Sequence, residues 1–342
     1  MSAIISAYNC EKFINDSINS VLSQTHPVNE LIIIDDGSID STKKRVQEFG
    51  DEKIRAISQI NQGPGAARNR GIVESSGELI AFLDCDDIWL PEKIEHQVRY
   101  LHLHPETGMV SSDNWQWNVG SDTWEYRHRG TPRPGTEARE LLVSNIVGNP
   151  SAILIWRWVL DDAGYFDESM RWGEDWELWI RIARQAKIGF IPRALSIYRS
   201  HGGTLSRTGL HDGLENMRGV TTKAIDSHQP KWQRPILKLR VKSMLALMHS
   251  WSIPGKHGSR QELFWQTTKA LLFYPFDNLK EKFKLLFLAI LGDKRYDHIK
   301  SMAKTFKSDI ELTPKESIDT HLPPNIEDLF SFSSLKDHDT PQ

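Results

Sequence analysis

Leu79-Ile80-Ala81-Phe82-Leu83-Asp84-Cys85-Asp86-Asp87 decides how this chain is read. An apolar run of strand length stops there in three carboxylates within four positions. Strands buried on both faces of a parallel sheet read as continuous apolar runs, and ligands of such sheets bind beyond the strands' carboxyl ends. Three acids crowded at that point repel one another and require a compensating cation. Asp84 and Asp86 offer hard oxygens to Mg²⁺ or Mn²⁺, with a diphosphate filling the remaining positions. A lone Asp-x-Asp is more often a solvated acidic turn, so the weight falls on the sequence around it.

Upstream, Ala3 to Ala7 is a short strand, and Ile14, Ile18, Val21 and Leu22 share one helical face. Leu31 to Ile34 is a second buried strand, broken by Asp35-Asp36-Gly37-Ser38. A polar helix over 40–49, a strand over 53–58 and a helix over 66–74, introduced by Gly63-Pro64-Gly65, lead into the organising strand. This alternation predicts βαβ units and an α/β fold with a mostly parallel, Rossmann-like sheet flanked by helices. Two of its strands end in paired acids, and in an open sheet both pairs face the same edge. They form one site.

Downstream, the spacing predicts a helix over 91–103 and strands at 109–111, 152–155, 188–191 and 195–198. Between Asn114 and Gly148 periodicity is lost, while Trp115, Trp117, Trp124 and Tyr126 accumulate; the stretch reads equally as a sugar-stacking surface or as a cap on the core. Trp176, Trp179, Ile180 and Ala183 share a helical face, which puts Glu174 and Asp175 in the first turn. Acids are common there for their interaction with the helix dipole alone.

A chain of 342 residues, 39% hydrophobic and 25% charged, is of ordinary globular composition. Its net charge of -3 gives no reason to expect nucleic acid as a partner. Cys10 and Cys85 lie in unrelated contexts, form no metal-ligand pattern and suit a reducing compartment. The N-terminus has no cationic leader and the apolar run 285–291 is too short to span a bilayer, so a cytoplasmic location is expected. The expected organisation is a catalytic domain over 1–209, a helical C-terminal region over 210–308 and an acidic, disordered tail over 309–342. Residues 256–307 carry 11 Lys and Arg against 5 Asp and Glu, interleaved with aromatic and aliphatic residues. That pattern fits peripheral contact with the inner face of an anionic membrane or, equally, a helical appendage with a solvated basic face.

Several pieces, in order, resemble glycosyltransferase family 2, the inverting nucleotide-sugar transferases of GT-A fold. They are Ser6-Ala7-Tyr8-Asn9, Ile34-Asp35-Asp36-Gly37-Ser38, Gly63 through Gly71, Leu83-Asp84-Cys85-Asp86-Asp87, Gly164-Tyr165-Phe166-Asp167, Glu174-Asp175-Trp176-Glu177-Leu178-Trp179 and Tyr198-Arg199-Ser200-His201. The resemblance covers about residues 2–206, with Cys85 standing where the family usually has a small residue. It implies that Ser6, Tyr8 and Asp36 hold the base and ribose of the donor nucleotide, favouring UDP, and that Arg68 and Asn69 line the same pocket. It further implies that Asp84 and Asp86 hold the metal and the donor diphosphate, that Asp175 is the catalytic base with Glu174 beside it, and that His201 is a further metal or phosphate contact. The function expected from it is metal-dependent sugar transfer to a saccharide or lipid-linked saccharide, in surface polysaccharide or glycan assembly. The alternative is a non-catalytic nucleotide-sugar binder on the same fold. A nucleotidyltransferase is disfavoured because Ser6-Ala7-Tyr8-Asn9-Cys10 is not a Gly-rich, basic loop.

Overall fold

The computed structural model describes residues 1–129, 135–202, 210–226, 231–252, 260–274, 282–283 and 285–286. The expected tail over 309–342 and most of 275–308 lie outside these residues.

The organising strand is β4 (Leu79–Asp84), fourth in a row of parallel strands. Beside it lie β1 (Ser2–Ala7), β2 (Glu30–Asp35) and β3 (Ile54–Ser58), in the order β3-β2-β1-β4. They are joined by α1 (Ile14–Leu22), α2 (Thr42–Gln47) and α3 (Pro64–Glu74). Registers such as Ser6 against Ile34 and Asp84 bring the carboxyl ends of β1, β2 and β4 level. β1, β2 and β4 each divide their side chains between two buried layers, while the edge strand β3 is only partly buried. Ala3, Ile5, Ala81 and Leu83 pack on α1 through Ile14, Ile18 and Val21. Ile4, Ile80 and Phe82 pack on α3 through Ala67 and Ile72. Burying both faces of these strands leaves no polar alternation in their sequence.

Beyond β4 the sheet becomes mixed. The short β5 (Ile88–Trp89) and α4 (Lys93–Leu103) precede β6 (Thr107–Asn118), β7 (Thr123–Arg127), α5 (Glu137–Leu141), β8 (Ile153–Trp156), α6 (Arg157–Ala163), α7 (Glu174–Ile182) and β9 (Lys187–Ser200). The order continues β4-β8-β6-β9-β5; β8 is antiparallel to β4 and β6, and only β6 with β9 is parallel. The parallel expectation therefore holds for the first four strands. Strand β9, expected as two pieces, is one strand whose register jumps from Ile191 opposite Ser112 to Ala194 opposite Asp113. Pro192 and Arg193 bulge out there, as a proline without an N–H must within a ladder.

The aromatic stretch is a hairpin. β7 pairs with β6, setting Trp115 opposite Tyr126 and Trp117 opposite Trp124. The Trp117 and Trp124 rings stack 5.3 Å apart, and Trp115 meets Tyr126 edge-on at 5.1 Å. These rings close over Ile88, Ala194 and Ile197, so their role is to cap a small core, one of the two readings left open by the sequence.

The C-terminal helices Leu210–Asp226, Arg234–Ser252 and Arg260–Phe273 come next. Met217, Ile225, Leu237, Val241 and Met244 join the same buried cluster as Trp176 and Ile180 of α7. The first two of these helices thus extend the core of the sheet domain.

Two glycines fix close approaches. Gly37, at φ +78°, makes the turn after β2, and a side chain there would meet the Asn61 backbone nitrogen at 2.9 Å. Gly71 lets α3 lie flat on β1, where an added Cβ would stand 2.3 Å from Ile4 Cγ2. Overpacking of this kind costs about 1–3 kcal/mol, more than the roughly 1 kcal/mol that alanine gains over glycine inside a helix. Gly71→Ala is therefore expected to lower the urea midpoint of unfolding despite its better helix propensity.

Candidate active site

The level ends of β1, β2 and β4 open into a cavity of about 900 Å³. Ser6 and Tyr8 enter it from β1 and the residues after it, Asp36 from the end of β2, and Asp84 and Asp86 from β4. Arg68 reaches it from α3, Glu174 and Asp175 from the start of α7, and His201 from the end of β9. Both acidic strand ends thus face one cavity.

Arg68 is the hub. Its guanidinium donates to Asp84 Oδ1 and to Glu174 Oε1, each at 2.7 Å, and lies 5.3 Å from the Phe166 ring centroid. Arg68 and Glu174 are buried. Burial opposes the charge on the guanidinium, but the flanking carboxylates outweigh it and hold the group more firmly protonated than usual. Glu174 is consequently committed to an ion pair.

Asp175, one residue on, is only partly buried, and its Oδ1 accepts from the Trp176 N–H at 2.6 Å. Burial, and next the charge on Glu174, push its carboxyl up to about 7. That is where a general base working near neutral pH is best placed.

Asp36 is buried and holds the loop after β3. Its oxygens accept from Gln59 Nε2 at 2.8 Å, the Gln62 N–H at 2.9 Å and the Gly63 N–H at 2.8 Å. It is therefore a buried anchor in the cavity lining, to which the half-exposed Tyr8 also belongs. Asn69 is not among the lining residues. Its amide donates to Phe166 O and Glu168 Oε1, both at 2.9 Å, and its oxygen accepts from the Phe166 N–H at 2.9 Å. It ties α3 to the segment leading into α7.

The three acids after β4 separate into two roles. Asp84 and Asp86 line the cavity, whereas Asp87 is fully buried away from it. Asp87 accepts from Ser151 Oγ at 2.6 Å, Asn149 Nδ2 at 2.7 Å and the Arg199 N–H at 3.0 Å. Arg199 also bonds to Asp16 Oδ2 at 2.6 Å and to the Asp86 carbonyl, bracing the turn from behind. His201 Nε2 stands 3.0 Å from Asp86 Oδ2, its ring 4.7 Å from Phe13. Burial is the main reason that Asp84 holds its proton more strongly than usual, with Asp86 and Glu174 opposing the relief from Arg68.

The donor chemistry fits a hard divalent ion. Asp84 keeps one oxygen beyond its Arg68 contact, and Asp86 one beyond its His201 contact. No group of three His, Cys, Asp or Glu gathers as a cage among the described residues. Mg²⁺ sites often take one or two carboxylates, with substrate phosphates completing the set.

Sequence reasoning missed several lining residues. Arg171 and Trp172 adjoin Gly173-Glu174-Asp175, and that adjacency was a usable signal. Arg171 Nη1 reaches Asn61 Oδ1 at 3.2 Å across the cavity mouth. Met244, Leu247 and Met248 line it from the helix Arg234–Ser252, and no sequence signal marked them. Cys10 and Cys85, unrelated in sequence, both line the cavity, and the neighbouring Cys10 thiol, with burial, pushes the Cys85 thiol well up. Both are free.

The family model for glycosyl transferase family 2 matches residues 2–161. This part of the chain belongs to that family. An uncharacterized glycosyltransferase of Nostoc sp. is 42% identical over 113 residues, 32% of this chain and 35% of that protein. The UDP-Glc:alpha-D-GlcNAc-diphosphoundecaprenol beta-1,3-glucosyltransferase WfgD of Escherichia coli is 43% identical over 99 residues, 29% of this chain and 39% of that protein. The matches thus span little more than a third of these relatives. The crystal structure of S. aureus TarS 1–349 in complex with UDP-GlcNAc superposes with a TM-score of 0.58 at 17% identity, over 90% of this chain and 91% of that one. The fold is GT-A.

Removing one partner from a buried ion pair costs about 3–5 kcal/mol, so Arg68→Met is expected to lose about that much stability at pH 8. The loss should shrink below pH 5, because Asp84, which burial already makes hold its proton more strongly than usual, is then neutral and no longer an unpaired charge. Urea unfolding at both pH values measures it.

Proposed function

We propose that the chain is an inverting, metal-dependent glycosyltransferase that moves a sugar from a UDP-sugar to an acceptor hydroxyl in surface polysaccharide or glycan assembly. The observation that carries this reading is a partly buried carboxylate, Asp175, in the same cavity as Asp84 and Asp86, with its neighbour Glu174 tied to Arg68. Asp175 takes the proton of the acceptor hydroxyl as that oxygen attacks the anomeric carbon. The bond from that carbon to the diphosphate oxygen breaks on the opposite face, and the nucleoside diphosphate leaves. Single displacement inverts the configuration, and a base that forms no ion pair among the described residues suits it.

Ser6, Tyr8 and Asp36 border the nucleotide, with Tyr8 exposed enough to stack on the base. Asn69 serves this pocket by positioning the α7 segment. A divalent cation, Mg²⁺ or Mn²⁺, held by Asp84 and Asp86 would neutralise charge developing on the diphosphate as a Lewis acid. His201 orients Asp86 for that role. The acceptor is a saccharide or a lipid-linked saccharide, in keeping with the acceptor named for the E. coli relative.

Release of UDP from a panel of UDP-sugars with Mn²⁺ or Mg²⁺ tests the reading. Asp175→Asn should lower transfer roughly 10²–10⁴-fold while leaving the calorimetric affinity for UDP within about twofold. Asp84→Ala should lose both. Since a base works only when deprotonated, kcat should rise with pH and level off, with its inflection at or below about 7 because a bound cation lowers the carboxyl. A non-catalytic binder would hold UDP-sugars, release nothing and be indifferent to Asp175→Asn.

We also propose peripheral contact with the inner face of an anionic membrane. Among the described residues no helix is long and apolar enough to cross one. Exposed Trp232, Ile236 and Leu239 alternate with exposed Lys231, Lys238 and Lys242, and within 256–307 Trp265 and Leu272 are exposed as well. Each lysine near an anionic surface contributes about 1 kcal/mol. Lys238→Glu with Lys242→Glu should therefore reduce co-sedimentation with phosphatidylglycerol vesicles roughly tenfold or more; equal sedimentation with neutral vesicles would rule out the charge mechanism.

A further inference from the structure

Five carboxyl groups line the cavity, those of Asp36, Asp84, Asp86, Glu174 and Asp175, against two arginines. An anionic ligand entering a space of that balance is repelled unless cations meet it. Arg68 is already engaged by Asp84 and Glu174. Arg171 is exposed and forms no ion pair among the described residues; its Nη1 donates to the neutral Asn61 Oδ1 at 3.2 Å. It is the lining arginine still open to an anion.

Its position decides which anion. Arg171 lies over Gly63, where an added Cβ would stand 3.5 Å from Arg171 Cδ and 3.6 Å from Nη1. The Gly63 N–H donates to Asp36 Oδ2 at 2.8 Å, and the Gly63 carbonyl accepts from the Ala67 N–H at 3.1 Å in the first turn of α3. Arg68, next along that helix, bonds Asp84. Gly63 therefore links, through one hydrogen bond and one helical turn, the residue proposed to border the nucleoside to a residue proposed to hold the metal. The phosphates of a nucleoside diphosphate fill the same interval, since they join the nucleoside to the metal. A guanidinium presents a planar fork of N–H donors that matches two phosphate oxygens. Exchanging a neutral bond to Asn61 for a charge-assisted one is favourable.

Resting on the transferase reading above, we propose that Arg171 is a donor-binding residue whose guanidinium leaves Asn61 and pairs with the diphosphate of the nucleotide sugar. Arg171 stands four residues before Asp175, so leaving group and base are served from one short segment.

Titration of the full chain with uridine and with UDP, in the presence of Mn²⁺, tests the pairing without turnover. Arg171→Gln should weaken UDP about tenfold or more and leave uridine within about twofold, because only UDP carries the phosphates. Arg171→Lys, which keeps the charge, should bring UDP back to within about threefold of the unaltered protein. Mn²⁺ alone should bind Arg171→Gln no more weakly than the unaltered protein, since losing one cation cannot repel another. Unchanged UDP affinity in Arg171→Gln overturns the proposal. So does an equal loss for uridine and UDP, which marks a role in shaping the cavity, and so does weakened Mn²⁺ binding, which puts the effect at the metal. An unaltered protein that binds no UDP overturns the nucleotide-sugar reading together with the pairing, whereas UDP binding indifferent to Arg171 overturns the pairing alone.

Discussion

One guanidinium joins the two halves of this molecule. Arg68 rises from α3, the helix that lies on the sheet through Gly71, and bonds a carboxylate of β4 on one side and of α7 on the other. Burying a single charge in this position would be costly, and burying two like charges without it more so. The protein resolves this with a cation between two anions, packed against the Phe166 ring. Strand β4 and helix α7, far apart in sequence, are thereby held to a common geometry. Asp175, adjacent to the engaged Glu174, is held by the Trp176 N–H and forms no ion pair among the described residues.

The sheet explains why the site lies where it does. In β1, β2 and β4 parallel pairing sets the carboxyl ends level, and chains leaving a parallel strand turn at that edge. After β4 the mixed pairing returns the chain so that β9 delivers Arg199 behind the acidic turn and His201 to its cavity side. Asp87 anchors that turn through Ser151 and Asn149, leaving Asp84 and Asp86 to face the cavity. Neighbouring acids in one motif thus do different work because the chain turns between them, the Asp87 N–H donating to the Asp84 carbonyl at 2.9 Å.

How legible this was depended on the range of each interaction. β1, β2 and β4 read directly, because a strand buried on both faces announces itself as an apolar run; the edge strand β3 is only partly buried. The acids at their ends read as one site for the same reason. The hairpin β6–β7 did not read, since its order comes from cross-strand aromatic pairs such as Trp117 with Trp124. β9 read as two strands because Pro192 and Arg193 interrupt its alternation at a bulge. Asn69 read as part of the pocket, yet its amide faces Phe166 and Glu168, and helix position alone does not reveal which neighbour a side chain meets. Met244, Leu247 and Met248 carry ordinary core chemistry, and only the tertiary fold brings them to the cavity.

The seam between these parts has a consequence for how such a protein changes over generations. The family match ends at residue 161, while Trp172, Trp176 and the helix Arg234–Ser252 lie beyond it. Ser6, Asp36, Arg68, Asp84 and Asp86 come from the matched segment, and Glu174, Asp175 and His201 from residues C-terminal to it. Drift in the later segment is therefore constrained by the earlier one, because the Glu174 that pairs with Arg68 and the neighbouring Asp175 lie in it. A lineage can vary the closing helix Arg234–Ser252 only while that pair is kept.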